Sequence, residues 1–231
     1  MSEKRLAHAE VAVLAYLLGN PAPQRQVHIA AATGVTQARI SQILTAADAN
    51  GWTERSADGW QVRRPRELFD RLVAARAPRQ ETVEAWYSLD SAQRQIELVL
   101  EQASAQRVSV RVCGDWAADL VAPWRIPDIV LIHADSRLEL ESAGFVRVET
   151  DPSDATLVVS VGAISPGWHL DSRLAAAMGG PRDLAWPLAP VIEVARHILT
   201  VGGPDAVDAV AELEQRFLSA RADLEVSSCT S

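Results

Sequence analysis

Lysine and cysteine are nearly missing from this chain of 231 residues. Lys4 is the one lysine, against 21 arginines, which excludes a phosphate-binding P-loop because that loop needs a lysine after its glycines. Two cysteines, Cys113 and Cys229, are too few for a disulfide framework and are typical of reduced, cytoplasmic proteins. The apolar run at residues 7–18 is short and interrupted by polar residues, so we expect a helix there, and neither a signal peptide nor a membrane span.

Familiar catalytic patterns are missing as well. The sequence contains no Gly-x-Ser-x-Gly elbow of the kind that carries a nucleophilic serine. Its five histidines are scattered, and neither cysteine is paired with them at metal-ligand spacing. We therefore expect no enzymatic activity, no metal and no cofactor.

Charge divides the chain into two parts. Residues 1–80 carry 11 Lys+Arg against 7 Asp+Glu, whereas residues 81–231 carry 11 against 23. The first part is therefore the one suited to approach DNA, and the acidic part is expected to face solvent, itself or a basic partner. The length allows two modest domains with separate cores. We predict a DNA-binding domain at residues 1–79 and an acidic α/β domain, regulatory or partner-binding, at residues 80–226.

The stretch from residue 26 to residue 64 has the order of parts of a winged helix-turn-helix. The segment at residues 26–33 predicts a short helix that packs through its apolar side chains Val27, Ile29, Ala30 and Ala31. Gly34 is suited to end this helix, because the turn needs a positive φ. Thr36 is then expected to cap a second helix.

The second helix is predicted to turn a polar face outward. Ile40, Ile43 and Leu44 are spaced three and four residues apart and face inward. Glutamine and arginine on the opposite face suit base edges, because Gln pairs with adenine and Arg pairs with guanine. The predicted DNA-contacting residues of this motif are Gln26, Thr36, Gln37, Arg39, Ser41 and Gln42.

A hairpin, the wing, is predicted after this helix. Two short alternating segments, residues 52–55 and 60–64, flank a Ser-Ala-Asp58-Gly59 turn. Such a wing would hold Arg55, Arg63 and Arg64 near DNA phosphates, where each neutralised phosphate releases counterions. The alternative for this motif is a winged helix that is used only for protein contacts.

The second part alternates strand and helix patterns. Strands are predicted at residues 108–112, 128–133, 145–148 and 155–161, with an extended segment at 83–87. Helices are predicted at about residues 90–106, 116–121, 188–200 and 204–222. The predicted fold class is therefore α+β overall: a winged helix-turn-helix followed by a small α/β domain with a mixed sheet and C-terminal helices.

A degenerate nucleotidyltransferase fold is one option for the second domain. That fold places a glycine turn after one strand and a carboxylate pair on the next, and the pair binds the metals that align phosphates. Here Gly114 is followed by Asp115, and the pair that would start at Asp128 has Val130 as its second member. A single carboxylate on the strand does not hold two cations, and Asp115 would repel a triphosphate. We therefore expect Asp115 to cap the next helix.

Four further segments carry a family resemblance. They are Trp86-Tyr87-Ser-Leu-Asp90, Gly114-Asp-Trp-Ala-Ala-Asp-Leu120, Pro123-Trp-Arg125 and Trp186-Pro-Leu188. With the N-terminal pattern and its Arg-rich wing, they resemble the AbiEi-type antitoxins of type IV toxin-antitoxin systems, and the related transcriptional regulators, over about residues 11–218. Members of that family often have Asp-Pro-Leu-Gln at the start of the late helix, where this chain has Ala-Pro-Val-Ile at 189–192.

The resemblance implies a function for each part. It implies that the winged helix represses its own operon by binding double-stranded DNA, and that the C-terminal domain counteracts a cognate toxin. Our expectation is a cytoplasmic bacterial transcriptional repressor of the AbiEi type, with no membrane contact. A nucleotidyltransferase-fold enzyme and a winged-helix interaction module remain the alternatives, and the sequence leaves the oligomeric state open.

Overall fold

The chain folds into an α+β structure in the computed structural model, which describes residues 6–75, 82–149, 152–162, 164 and 167–229. We call residues 6–75 the N-terminal unit and residues 82–229 the C-terminal unit. The predicted domain boundary after residue 79 lies outside the described residues. None of the described helices combines the length and the apolar character that a membrane span requires.

The N-terminal unit contains helices and one hairpin. Its elements are α1 (His8–Gly19), α2 (Gln26–Thr33), α3 (Gln37–Ala49), β1 (Thr53–Arg55), β2 (Trp60–Val62) and α4 (Pro65–Ala74). Strands β1 and β2 pair antiparallel, with Thr53 opposite Val62 and Arg55 opposite Trp60. Gln24, in the loop between α1 and α2, forms a bridge to Trp60 through two backbone hydrogen bonds of 2.8 Å.

The turn between α2 and α3 follows the local sequence signals. Gly34 ends α2 with a φ of 70°, and the Thr36 hydroxyl accepts a hydrogen bond from the Arg39 amide at 3.4 Å. The predicted packing of α2 is partly wrong, because Val27 is 53 % exposed and Ala31 is also exposed. In a helix of eight residues only one narrow face meets the core, and Ile29 and Thr33, spaced four apart, occupy that face in α2.

The hairpin closes through a four-residue loop, residues 56–59. Gly59 has a φ of 149°, and a Cβ at this position would lie 2.6 Å from the carbonyl carbon of Gln24. Glycine is therefore needed both for the backbone angle and for the close approach of the two segments. Because of this approach, the tip of the hairpin lies beside the start of α2.

The C-terminal unit is built on a mixed sheet, as predicted. Its elements are β3 (Thr82–Tyr87), α5 (Ala92–Gln106), β4 (Val110–Cys113), α6 (Gly114–Val121), β5 (Val130–Ala134), β6 (Val146–Arg147), β7 (Leu157–Val161), α7 (Ser172–Ala177), α8 (Val191–Val201) and α9 (Ala206–Cys229). The strand order is β4-β5-β7-β3-β6. Strands β5 and β7 are parallel, and the other neighbours are antiparallel. Helix α7, which begins after the capping carboxylate of Asp171, was not predicted.

Two arginines of the C-terminal unit cap helices of the N-terminal unit. Arg221 of α9 is 1 % exposed and donates hydrogen bonds to the backbone carbonyls of Leu17 and Leu18 at the end of α1. Arg196 of α8 donates to the carbonyls of Leu72 and Ala75 at the end of α4. The last carbonyls of a helix have no partner within the helix and form its negative end, so a guanidinium there supplies both donors and charge.

A single apolar core connects the two units. It includes buried side chains of α1 and α4 together with those of α8 and α9. Phe69 of α4 packs against Phe217 of α9 with the ring centroids 5.9 Å apart. The C-terminal unit therefore supports the N-terminal unit on the side formed by α1 and α4.

Candidate nucleic-acid interface and a second pocket

The outward face of α3 carries polar side chains that are open to solvent. Its apolar face, Ile40, Ile43, Leu44 and Ala47, is buried against the N-terminal unit. The predicted contact residues on the opposite face are all exposed: Thr36, Gln37, Arg39, Ser41 and Gln42. This separation follows from the helical spacing of apolar residues.

The Arg39 guanidinium is already oriented along this face. It donates a hydrogen bond to the side-chain oxygen of Gln42 at 3.1 Å, and both side chains are exposed. An arginine and a glutamine held together in this way present several hydrogen-bond donors to one side of the helix. Such an arrangement suits the major-groove edge of guanine, which carries two acceptors, and that of adenine, which carries one acceptor and one donor.

A concave groove lies beside this face. Residues from the start of α2, from α3 and from the hairpin tip enclose a volume of about 460 Å³: Arg25, Gln26, Ser41, Arg55, Ser56, Ala57, Asp58, Gly59 and Trp60. We call it the α2–wing groove. Gln26 is half-buried, whereas Arg25 and Arg55 are exposed. The groove places two predicted contact residues, Gln26 and Ser41, next to the predicted wing residue Arg55.

The α2–wing groove has the features of a phosphate site. Arg25 is the N-cap of α2, no side chain caps the first turn of this helix, and Arg25 and Gln26 line the groove, so the positive end of the helix dipole lies beside it. Arg25 and Arg55 contribute two positive charges against one negative charge from Asp58. A phosphate placed here would contact guanidinium groups from two separate elements.

The other two wing arginines lie at the opposite end of the hairpin. Arg63 is hydrogen-bonded through its backbone to Trp52 at the hairpin base, about 10 Å from the tip at the usual rise per strand residue. The Arg64 guanidinium lies near Gly51, where an added Cβ would be 3.6 Å from Cζ, and it forms an ion pair with Glu67 at 3.2 Å. The structure thus brings Arg55 to the α2–wing groove and leaves Arg63 and Arg64 at the base.

A second pocket lies in the C-terminal unit, at the start of α6 and the end of α8. Its volume is about 570 Å³, and its lining residues are Asp115, Arg125, Ile126, Pro127, Asp128, Ile129, Leu131, Val158, His197 and Val201. We call it the α6–α8 pocket. Most of its wall is aliphatic, with a few charged groups, as is common for small-molecule sites.

An ion pair stands in the wall of the α6–α8 pocket. The prediction that Asp115 caps α6 is wrong, because the N-cap is Cys113 and Asp115 lies within the first turn. Arg125 instead donates to Asp115 Oδ2 from Nε at 2.8 Å and from Nη2 at 2.5 Å. The Arg125 guanidinium also stacks on the Trp124 ring, 4.4 Å from its centroid. Two segments of the family resemblance therefore meet at this pair.

His197 completes the polar part of the wall. Burial lowers the pKa of His197 below its ordinary value, and Arg125 lowers it further, whereas Asp115 acts in the opposite direction. The ring is neutral at pH 7 as a result. It packs against Gly114, where a Cβ would lie 2.9 Å from the imidazole Cδ2, so glycine makes room for the histidine.

Arg25 was not predicted as a contact residue, and Asp115, Arg125 and His197 were not predicted to lie together. Arg25 precedes a predicted helix start, which is a signal for an N-terminal phosphate contact. The grouping of Asp115, Arg125 and His197 had no such signal, because α6, the following loop and α8 come together only in the fold. Among the described residues, no three His, Cys, Asp or Glu side chains lie close enough to hold a metal ion.

Comparison of the chain with models of protein families, with curated proteins and with solved structures gave no match.

Proposed function

We propose that this protein is a sequence-specific DNA-binding transcriptional repressor, in which α3 enters the major groove and the β1–β2 hairpin contacts the flanking backbone. The order of α1, α2, α3, hairpin and α4 supports a winged helix-turn-helix. The observation that carries the proposal is the exposed polar face of α3 beside the α2–wing groove. Repression would follow from occupancy of the operator.

The arrangement divides the contacts between two roles. Thr36, Gln37, Arg39 and Gln42 lie on the first turns of α3, where a recognition helix meets base edges. Arg25, Gln26, Ser41 and Arg55 line the α2–wing groove, where they would fix the register of the protein by holding the backbone. Base contacts set specificity in this scheme, and phosphate contacts supply affinity that depends on salt.

An electrophoretic mobility shift of the DNA upstream of the chain's own reading frame tests this proposal. The expected result is a shifted band that survives an excess of unlabelled random duplex. The triple variant Gln37→Ala, Arg39→Ala, Gln42→Ala should lose that selectivity, whereas Arg173→Ala, at an exposed arginine of α7, should retain it. If no band shifts, or if the random duplex competes equally, the proposal is wrong.

We extend the proposal to an AbiEi-like antitoxin that represses its own operon. The support is the resemblance, together with the contact between two of the segments that carry it, through Asp115 and Arg125. The C-terminal unit is acidic, which suits a basic partner. Co-expression with the product of the adjacent gene tests this point: a stable complex and relief of growth inhibition are expected, and continued growth inhibition without a complex would refute the antitoxin role.

A further inference from the structure

The α6–α8 pocket contains a hydrogen-bond acceptor without a donor. Asp115 is 7 % exposed, and Arg125 binds its Oδ2 atom. The Oδ1 atom is buried and has no hydrogen-bond partner in the part of the chain that the structure describes. Asp115 lines the pocket, and buried carboxylate oxygens are nearly always paired, so this carboxylate has the capacity to accept one further hydrogen bond.

The charges of the pocket favour a cation. Asp115 and Arg125 neutralise each other, and the His197 ring is neutral at pH 7 because its burial lowers its pKa. Asp128, which is exposed and lines the same pocket, adds one negative charge without a partner on the pocket wall. An anion would therefore be repelled at the entrance, and a cation attracted.

The rest of the wall favours an apolar body. Ile126, Pro127, Ile129, Leu131, Val158 and Val201 contribute aliphatic surface. Several of these side chains face solvent: Ile126 is 92 % exposed, Val201 54 % and Ile129 40 %. A ligand that covers them would gain the hydrophobic free energy of that surface.

We propose that the α6–α8 pocket is an effector site for a small apolar amine, whose ammonium group lies between Asp115 and Asp128 and whose apolar body covers the aliphatic wall. An ammonium group donates three hydrogen bonds and carries the required charge. The aliphatic lining excludes a strongly hydrated polyamine, which has no comparable apolar body.

The position of the pocket on α8 connects it to the N-terminal unit. His197 and Val201 of α8 line the pocket, and the adjacent Arg196 holds the last carbonyls of α4. A ligand that shifts α8 would therefore act on the helix that follows the wing. This regulatory step depends on the proposed DNA-binding function, whereas binding of the amine does not.

Isothermal titration calorimetry of the full chain, with three ligands that share one apolar group and differ in their terminal group, tests the binding step. The probes are 4-phenylbutylamine, 4-phenylbutan-1-ol and 4-phenylbutyrate. We expect the amine to bind about ten-fold more tightly than the carboxylate, with the alcohol between them. Equal affinities, tightest binding of the carboxylate, or binding of ATP–Mg²⁺ in preference to the amine would overturn the proposal.

Two pairs of variants locate the site. Val201→Trp should abolish binding of the amine and the alcohol, whereas Val207→Trp, at a 71 % exposed position on α9 outside the pocket wall, should leave both unchanged. Asp128→Asn should weaken amine binding about two- to five-fold and leave the alcohol unaffected. The control Asp223→Asn makes the same change of charge on the exposed face of α9. If Val201→Trp binds the amine as the wild type does, the site is elsewhere.

The regulatory step has its own readout. In fluorescence anisotropy with the upstream duplex, saturating amine should change the DNA affinity of the wild type at least three-fold and leave Val201→Trp unaffected. An unchanged affinity in the wild type would overturn the regulatory step. If the protein binds no DNA at all, the function proposed above fails, and the calorimetric result still decides whether the pocket takes an amine.

Discussion

At the scale of single residues, the proposed function depends most on Arg39. Its side chain is exposed on the first turn of α3 and is hydrogen-bonded to Gln42, so it is held along the face that would meet DNA. Neighbouring Ile40 is fully buried, which fixes the rotation of the helix. The orientation of Arg39 is thus set by the packing of the residue next to it.

Replacing Arg39 with alanine should weaken binding to the preferred duplex by about 1–3 kcal/mol, because a bidentate contact to a base is lost. Binding to random DNA should change much less. Fluorescence anisotropy with both duplexes measures the difference. An equal loss on both duplexes would assign Arg39 to the phosphates rather than to the bases.

His197 should make the stability of the protein depend on pH. Burial lowers the pKa of this residue in the folded state from 6.5, so below pH 6.5 the unfolded chain binds a proton that the folded chain does not. The free energy of unfolding should therefore fall as the pH drops from 6.5 toward 5, by at most about 1.4 kcal/mol per pH unit from this group. Urea unfolding at pH 7.5, 6.5 and 5.5 should show a smaller fall of the free energy of unfolding in His197→Gln than in the wild type. His8→Gln, at an exposed histidine, is the control for loss of an imidazole. If the free energy of unfolding falls equally with pH in the wild type and in His197→Gln, His197 does not cause the pH dependence.

At the scale of elements, the structure changes the expected role of the hairpin more than that of any helix discussed above. Its bridge to Gln24 brings its tip to the start of α2, so that Arg55 and Arg25 face one groove. Its base carries Arg63 and Arg64, and Glu67 already pairs with Arg64. The two ends of the hairpin should therefore contribute unequally to phosphate binding.

The double variant Arg25→Ala, Arg55→Ala should lower the slope of log K against log salt by about 2, since each lost phosphate contact removes roughly one unit. Arg63→Ala, Arg64→Ala makes the same change of charge at the hairpin base and should lower the slope less. Anisotropy titrations at four salt concentrations measure both. If the variant Arg63→Ala, Arg64→Ala lowers the slope more, the DNA backbone lies at the base of the hairpin instead of in the α2–wing groove.

Local signals in the sequence predicted the elements better than the site. Gly34, Thr36 and the Asp58-Gly59 turn act within a few residues, so the α2–α3 turn and the hairpin were predictable. The mixed sheet was predictable from its apolar strand patterns. The α2–wing groove was not, because Arg25 matters only once the hairpin folds back onto Gln24. The α6–α8 pocket depends on α8 reaching the start of α6, about 80 residues earlier in the chain, and no local pattern encodes that contact.

At the scale of the whole molecule, the two units share one core and two arginine caps. α1 and α4 pack on the C-terminal unit, whereas α3 and the hairpin tip carry the exposed polar face and the groove. The acidic C-terminal unit therefore supports the N-terminal unit, which we propose binds DNA, and leaves the face of α3 open. This arrangement reconciles a net charge of −8 with a surface suited to DNA.

Replacing Arg221 with methionine should lower the free energy of unfolding by about 2–4 kcal/mol, because the Leu18 carbonyl loses its donor and the Leu17 carbonyl keeps only the Asn20 amide. Arg216→Met is the matched control on the same helix, where the side chain is 40 % exposed and pairs with Glu212, and it should cost less than about 1 kcal/mol. Urea unfolding followed by circular dichroism measures both. Equal losses would mean that the cap on α1 contributes no more than a surface ion pair.

Selection from a library of random duplexes tests the central claim most directly, because it needs no knowledge of the operator. Wild-type protein should enrich one sequence motif, and Arg39→Ala should relax that motif at one position while leaving the others in place. Absence of any enriched motif in the wild type, or the same motif from the triple variant Gln37→Ala, Arg39→Ala, Gln42→Ala, would contradict base reading by α3.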